Sequence, residues 1–211
     1  MTGDGRGEPP DGPTAEDRDR PALADSRDLD TVYQPAEDSR LLAEVAVERV
    51  RDGLVCEVGV GSGYVARRVA EETGARVVGT DITAEACRQA REAGVEVVRA
   101  NLVDPFPDGT FDVVLFNPPY LPTPPELEWD DSMERALSGG EDGRAVVNPF
   151  LDSVGRVLAP DGVAYLLVST LTGLDAVRER AAAAGLSVDR VRAESYPFEE
   201  LVVLELGIQK A

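Results

Sequence analysis

The chain has 211 residues, 43% of them hydrophobic, which suffices for one sizeable core and not for two domains. It contains no histidine and only two cysteines, Cys56 and Cys87, which excludes Ser-His-Asp hydrolysis, His-ligated zinc and a disulfide framework. The net charge of -19, with twenty arginines and the single lysine Lys210, is a surface that a high-salt cytoplasm screens and that offers nucleic acid no basic cluster for stable binding.

Residues 1–29 are rich in Gly, Pro, Asp and Arg with almost nothing apolar to bury, so they read as a disordered acidic tail, with one domain expected over 30–211. No signal-peptide segment and no apolar run of the roughly 18–20 residues that span a bilayer occurs, so a cytoplasmic protein without membrane attachment is expected. The stretch "QPAEDSRLLAEVAVERVRDG" predicts a helix entered at Pro35, acidic in its first turn, with Leu41, Leu42 and Val45 on one face. Strand-like runs then follow: "LVCEVG" (54–59), "RVVGTD" (76–81), "VEVVRAN" (95–101), "FDVVLFN" (111–117), "GVAYLLVS" (162–169) and "ELVVLELGI" (200–208). Between them lie helix-period segments, "YVARRVAEETG", "TAEACRQAREAG", "GRAVVNPFLDSVGRVLAPDG" and "GLDAVRERAAAAG", most of them closed by Gly. This alternation, with continuous apolar strands, predicts an α/β domain around a largely parallel sheet covered on both faces. The last stretch, "LSVDRVRAESYPFEELVVLELG", reads as strand, turn and strand, an antiparallel hairpin added to that sheet.

The first strand runs into "CEVGVGSGYVA", where Gly59, Gly61 and Gly63 allow a tight strand-to-helix turn and close backbone approach to a ligand. A dinucleotide fingerprint would place its third glycine at Tyr64, so a plain dehydrogenase is disfavoured. Glu57 precedes the turn by two residues; a carboxylate there repels a pyrophosphate and suits a cationic amino-acid head group. Asp81 ends the second strand, where it can take both hydroxyls of a ribose.

An acid, Gly-x-Gly-x-Gly and a second acid ending the next strand resemble the class I methyltransferases that use S-adenosylmethionine. The resemblance implies a Rossmann-like, seven-stranded, mostly parallel sheet with an antiparallel C-terminal hairpin strand. It also implies that Glu57 approaches the methionine end and Asp81 the ribose. Asn101 and Leu102 match the place where that family has an acid followed by an apolar residue packing on adenine. Asn101 departs from the pattern, and its amide would bond the adenine amino group without charge.

The segment "VLFNPPYLPTPP" ends the fourth strand on Asn117, Pro118, Pro119 and Tyr120. In isolation this is equally a proline turn that stops a strand. In the family's sheet order it lies beside the first strand and faces the reactive methyl. An amide or exocyclic amino nitrogen is a poor nucleophile because its lone pair is delocalised. Two acceptors aimed at its protons, the Asn117 side-chain carbonyl and the Pro118 backbone carbonyl, pull electron density onto it. The prolines preorganise those acceptors, and Tyr120 can stack on a planar acceptor group.

Three stretches narrow the resemblance: "VYQPAEDSRLL", "NPPYLPTPP" and "LSGGEDGRAVVNPFL". Together they are similar to the short archaeal and eukaryotic branch of the HemK family, over residues 31–208. The branch methylates N5 of the glutamine in the Gly-Gly-Gln loop of class I translation termination factors. Carried over, Ser39 would touch the cofactor, as would Asn117, and Asn117, Pro118, Pro119, Tyr120 and Leu121 would hold the target glutamine. The branch works with a small zinc-ribbon activator protein, implying a heterodimer at the third-strand edge near Val95 to Leu102. Protein lysine methylation, and methylation of adenine N6 or guanine N2 in nucleic acid, stay open as alternatives. A catalytically silent subunit would have lost Glu57, Asp81 or Asn117, and all three are present. Residues 126–143, with Trp129, are expected to border the substrate entrance.

Overall fold

The computed structural model describes residues 37–123 and 138–210. The expected tail, Pro35, Trp129 and most of the 126–143 loop lie outside the described residues. Among those described, no helix is long and apolar enough to cross a membrane.

Seven strands form one sheet: β1 (Leu54–Val58), β2 (Arg76–Asp81), β3 (Glu96–Arg99), β4 (Phe111–Phe116), β5 (Leu158–Ser169), β6 (Leu186–Ser195) and β7 (Glu200–Ile208). Their order is β3-β2-β1-β4-β5-β7-β6. β1 to β5 pair in parallel, and β7 is antiparallel to both β5 and β6. The expected mostly parallel sheet with one antiparallel hairpin strand is therefore what forms.

Among the described residues, five helices cover the sheet: α1 (Glu37–Arg49), α2 (Tyr64–Glu72), α3 (Ala84–Glu92), α4 (Val147–Val157) and α5 (Leu174–Ala183). Alternation within β4 builds the two cores. Leu115 faces Leu41, Leu42 and Val45 of α1 and Val65 and Val69 of α2. Its neighbours Val114 and Phe116 face Phe150, Leu151 and Val154 of α4 and Val177 of α5. Phe116 and Phe150 bring their rings to 4.7 Å.

Two strands, β5 and β3, differ most from the sequence reading. β5 begins at Leu158, inside the segment read as helical, because Pro160 cannot continue a helix and the chain instead pairs Leu158 with Phe111 across a register shift. β3 is only four residues long. Val95 is taken by the end of α3 through a hydrogen bond from its amide to the Ala90 carbonyl. The Ala100 amide makes the last rung of the β2–β3 ladder to the Asp81 carbonyl, before a turn closed from the Asp104 amide to the Asn101 carbonyl.

Candidate active site

The carboxyl ends of the central strands form one row. Val58 pairs with Phe116 on one side and with Thr80 on the other. One residue further along each strand, Gly59, Asp81 and Asn117 stand level at the same margin of the sheet. This is where an open parallel sheet takes its ligands.

The glycine turn is closed by hydrogen bonds from Val60 N–H to the Thr80 carbonyl and from Gly63 N–H to the Val60 carbonyl, both 2.8 Å. Gly61 has φ +50°, and a Cβ added there would meet nothing nearer than the Gly59 carbonyl oxygen at 3.9 Å. The turn thus leaves a cradle that any side chain at 61 would fill. The Gly61 amide donates to Asp81 Oδ2 at 3.2 Å, and Asp81 Oδ1 accepts from the Thr83 amide and hydroxyl at 2.8 and 3.0 Å. The second acid is therefore pinned against the first turn.

Glu57 is buried, and its Oε2 accepts from the Ala66 amide of α2 at 2.6 Å. The carboxylate caps a helix start whose N-cap, Gly63, offers no side chain. Burial pushes its pKa up to about 8; the Ala66 bond pulls it down and the Asp81 charge adds to the rise. The Cys56 thiol beside it is likewise driven up by burial and then by Glu57, so it is held neutral.

Leu102 has φ 46°, the one positive value at a non-glycine among the described residues. For a bulky residue that backbone costs about 1–2 kcal/mol, and such outliers gather at ligand clamps. Next to it, Asn101 is exposed and its Nδ2 donates to Asp104 Oδ2 at 3.3 Å. The charge missing at position 101 stands three residues later.

Pro118 is buried, and Asn117, Pro119 and Tyr120 are half-buried. The tetrapeptide is held by the start of α1. Asn117 Nδ2 donates to Ser39 Oγ at 3.3 Å, and the Tyr120 hydroxyl donates to Asp38 Oδ2 at 3.3 Å. Asp38 and Ser39 are both buried, and Asp38 Oδ1 accepts the Ser39 amide at 2.6 Å. Asn117 Oδ1 is itself buried and has no hydrogen-bond partner.

On its other side the tetrapeptide leans on "SGGEDGR". The Gly139 amide donates to the Leu121 carbonyl, and the Thr123 amide to the Gly140 carbonyl, each at 2.9 Å. Gly143 lies so close beneath Tyr120 that an added Cβ would stand 2.5 Å from its carbonyl oxygen.

The row brings together Ser39, Glu57, the glycine turn, Asp81 and Asn117 to Leu121. Asp38 was missed, because an acid in a first helical turn reads as a partner of the helix dipole. Its burial is the signal, and only the tertiary contact with Tyr120 reveals it.

A methyltransferase-domain family model matches residues 55–140. A Methanocaldococcus jannaschii protein named "Putative protein N5-glutamine methyltransferase" is 35% identical over 179 residues, spanning 82% of this chain and 90% of its own length. Methyltransferase HEMK2 of Mus musculus is 37% identical over 151 residues, covering 64% of this chain and 71% of its own. Among solved structures, a chain of the E. cuniculi Mtq2-Trm112 complex, described as responsible for methylation of the eRF1 translation termination factor, superposes with a TM-score of 0.70. It is 27% identical and covers 85% of this chain and 100% of that one.

Proposed function

We propose that this chain, which belongs to the HemK family of class I methyltransferases, uses S-adenosylmethionine to methylate N5 of the glutamine in the Gly-Gly-Gln loop of a class I translation termination factor. The observation that carries this reading is Asn117 Oδ1, a buried carbonyl oxygen without a partner at the end of β4, level with the glycine turn. Leaving such an acceptor unpaired costs about 1–3 kcal/mol, which an incoming amide N–H recovers.

The residues of the row fit the cofactor. The open cradle over Gly61 admits a ligand, and Asp81 at its edge presents a carboxylate to a ribose diol. Leu102 in its strained backbone offers an apolar face to adenine, and the Asn101 carbonyl oxygen an acceptor for the adenine amino group. Ser39 and Asn117 stand toward the reacting end. Glu57 stands behind the turn, where a cationic amino-acid head group would favour its charged form and draw the raised pKa back down.

When bound, S-adenosylmethionine supplies an electrophilic sulfonium methyl. The chain's own residues make the acceptor nitrogen reactive. Asn117 Oδ1 and the Pro118 main-chain oxygen accept its two N–H groups and return electron density to it. Pro118 and Pro119 hold both acceptors rigid, and Tyr120, tethered to Asp38, stacks on the planar amide. The surplus proton leaves to water after transfer, so no imidazole base is needed, in keeping with a chain that has none.

The same reading puts a small zinc-ribbon activator at the β3 edge, near Val95 to Leu102. β3 ends the sheet, Val98 on it is 39% exposed and Ile82 beside it 63% exposed, a short edge that a partner strand would cover. With a translation factor as substrate, the setting is the cytoplasm.

The test is mass spectrometry of a class I termination factor incubated with S-adenosylmethionine, this chain and the activator. One methyl is expected on the Gly-Gly-Gln glutamine, lost in the Asn117→Ala chain even though that variant still binds the cofactor. Methyl on a lysine, or on a nucleobase when RNA is supplied, would overturn the reading.

A further inference from the structure

The margin of the sheet that carries Asn117 also carries two apolar side chains standing in water. Ser169 at the end of β5 pairs with Leu201 at the start of β7, so the β6–β7 turn rises over the carboxyl end of β5. At that turn Phe198 is 92% exposed, and Leu171, in the 3-10 turn that follows β5, is 47% exposed.

Contacts connect them to the site. The Glu200 amide donates to Thr170 Oγ1 at 3.0 Å, joining the hairpin to the 3-10 turn. The Thr172 carbonyl accepts from the Arg144 guanidinium. A Cβ on Gly143 would stand 3.0 Å from Thr172 Cγ2 and 2.5 Å from the Tyr120 carbonyl oxygen. Hairpin tip, 3-10 turn and tetrapeptide are thus one continuous rim.

We propose that Leu171 and Phe198 form the docking surface for the protein substrate that presents the methyl-accepting glutamine. The substrate would meet them with an apolar side chain flanked by basic groups. This rests on the reading above. A glutamine on a loop of a folded protein can reach Asn117 only if the surface around that loop comes down on the rim. The turn keeps Phe198 outward, since it is closed by the Tyr196 amide bonding the Glu199 carbonyl at 2.8 Å. Glu199 Oε2, in the same turn, is buried without a partner, a carboxylate short of a donor that a basic side chain brings. A second copy of this chain is a poor occupant, because both copies would carry -19. The activator is placed at β3, the opposite end of the strand order.

The experiment is the double substitution Leu171→Ser and Phe198→Ser in the full chain with its activator, assayed on a purified class I termination factor. The KM for the factor should rise about tenfold, equivalent to about 1.4 kcal/mol. The kcat at saturation and the affinity for S-adenosylmethionine should hold. Unchanged factor kinetics would sink the docking surface and leave glutamine methylation standing. No methylation by the unsubstituted chain would overturn the functional reading itself, and the docking surface with it. Weakened cofactor binding, a smaller oligomer by light scattering, or loss of the activator on gel filtration would reassign the patch to the site, to a second copy or to the activator. Each of these overturns the inference.

Discussion

Glu57 sits at the end of β1 with its charge out of water and one backbone amide to receive it. Burial sets its pKa near 8, with the Ala66 amide opposing and Asp81 reinforcing, against an ordinary 4.5. The folded chain therefore holds this proton more tightly than the unfolded one. The stability it contributes is complete below 4.5, is lost as pH rises from there to about 8, and is constant above. Glu57→Gln keeps an acceptor for Ala66 and removes the titration. In urea melts across that window, the native chain should lose stability relative to the variant; parallel pH profiles would show that Glu57 titrates normally. The acid's presence beside the turn was legible in the sequence, but its inward direction was not. Asp38 shows the same limit: its partner Tyr120 lies 82 residues away, and no local pattern encodes that pair.

Elements were legible where the local pattern was unambiguous. β2 and β7 match the runs read from alternating and continuous apolar residues. The start of β5 was not, because "LAPDG" carries turn residues and joins the sheet only through an irregular pairing with β4. The "SGGEDGR" segment was read as part of a family pattern and, up to Gly143, as bordering the substrate entrance, without a bracing role. Its task is to support the tetrapeptide from below, and Gly143 is where the two backbones touch. With φ +74° and the Tyr120 carbonyl oxygen 2.5 Å from an added Cβ, Gly143→Ala has no strain-free solution. It should lower the urea-derived stability by about 1–2 kcal/mol and reduce kcat by displacing Tyr120. A variant neutral in both measurements would show that the segment does not brace the site.

Over the whole molecule, arginines are matched to nearby acids on the surface, as in Arg88 with Glu85 and Glu92, Arg76 with Glu96, and Arg192 with Glu48. Exposed pairs of this kind are individually weak, because water and salt screen them. They leave a large excess of negative charge, and its self-repulsion opposes compaction. Salt weakens both terms, but the pairs are short-ranged and the repulsion is summed over the molecule, so screening should favour folding. The thermal midpoint is expected to rise between about 0.1 M and about 1 M KCl; a fall would mean that the ion pairs dominate. By itself the sequence determined the succession of strands and helices, the glycine turn, the acid ending β2 and the rigid tetrapeptide, because each is written in residues that are neighbours along the chain. Only the tertiary structure decided that α1 clasps the tetrapeptide, that Glu57 turns inward, and that Phe198 shares a rim with Asn117. Those contacts depend on strand order and register, which join segments far apart in sequence and leave no periodic trace in it.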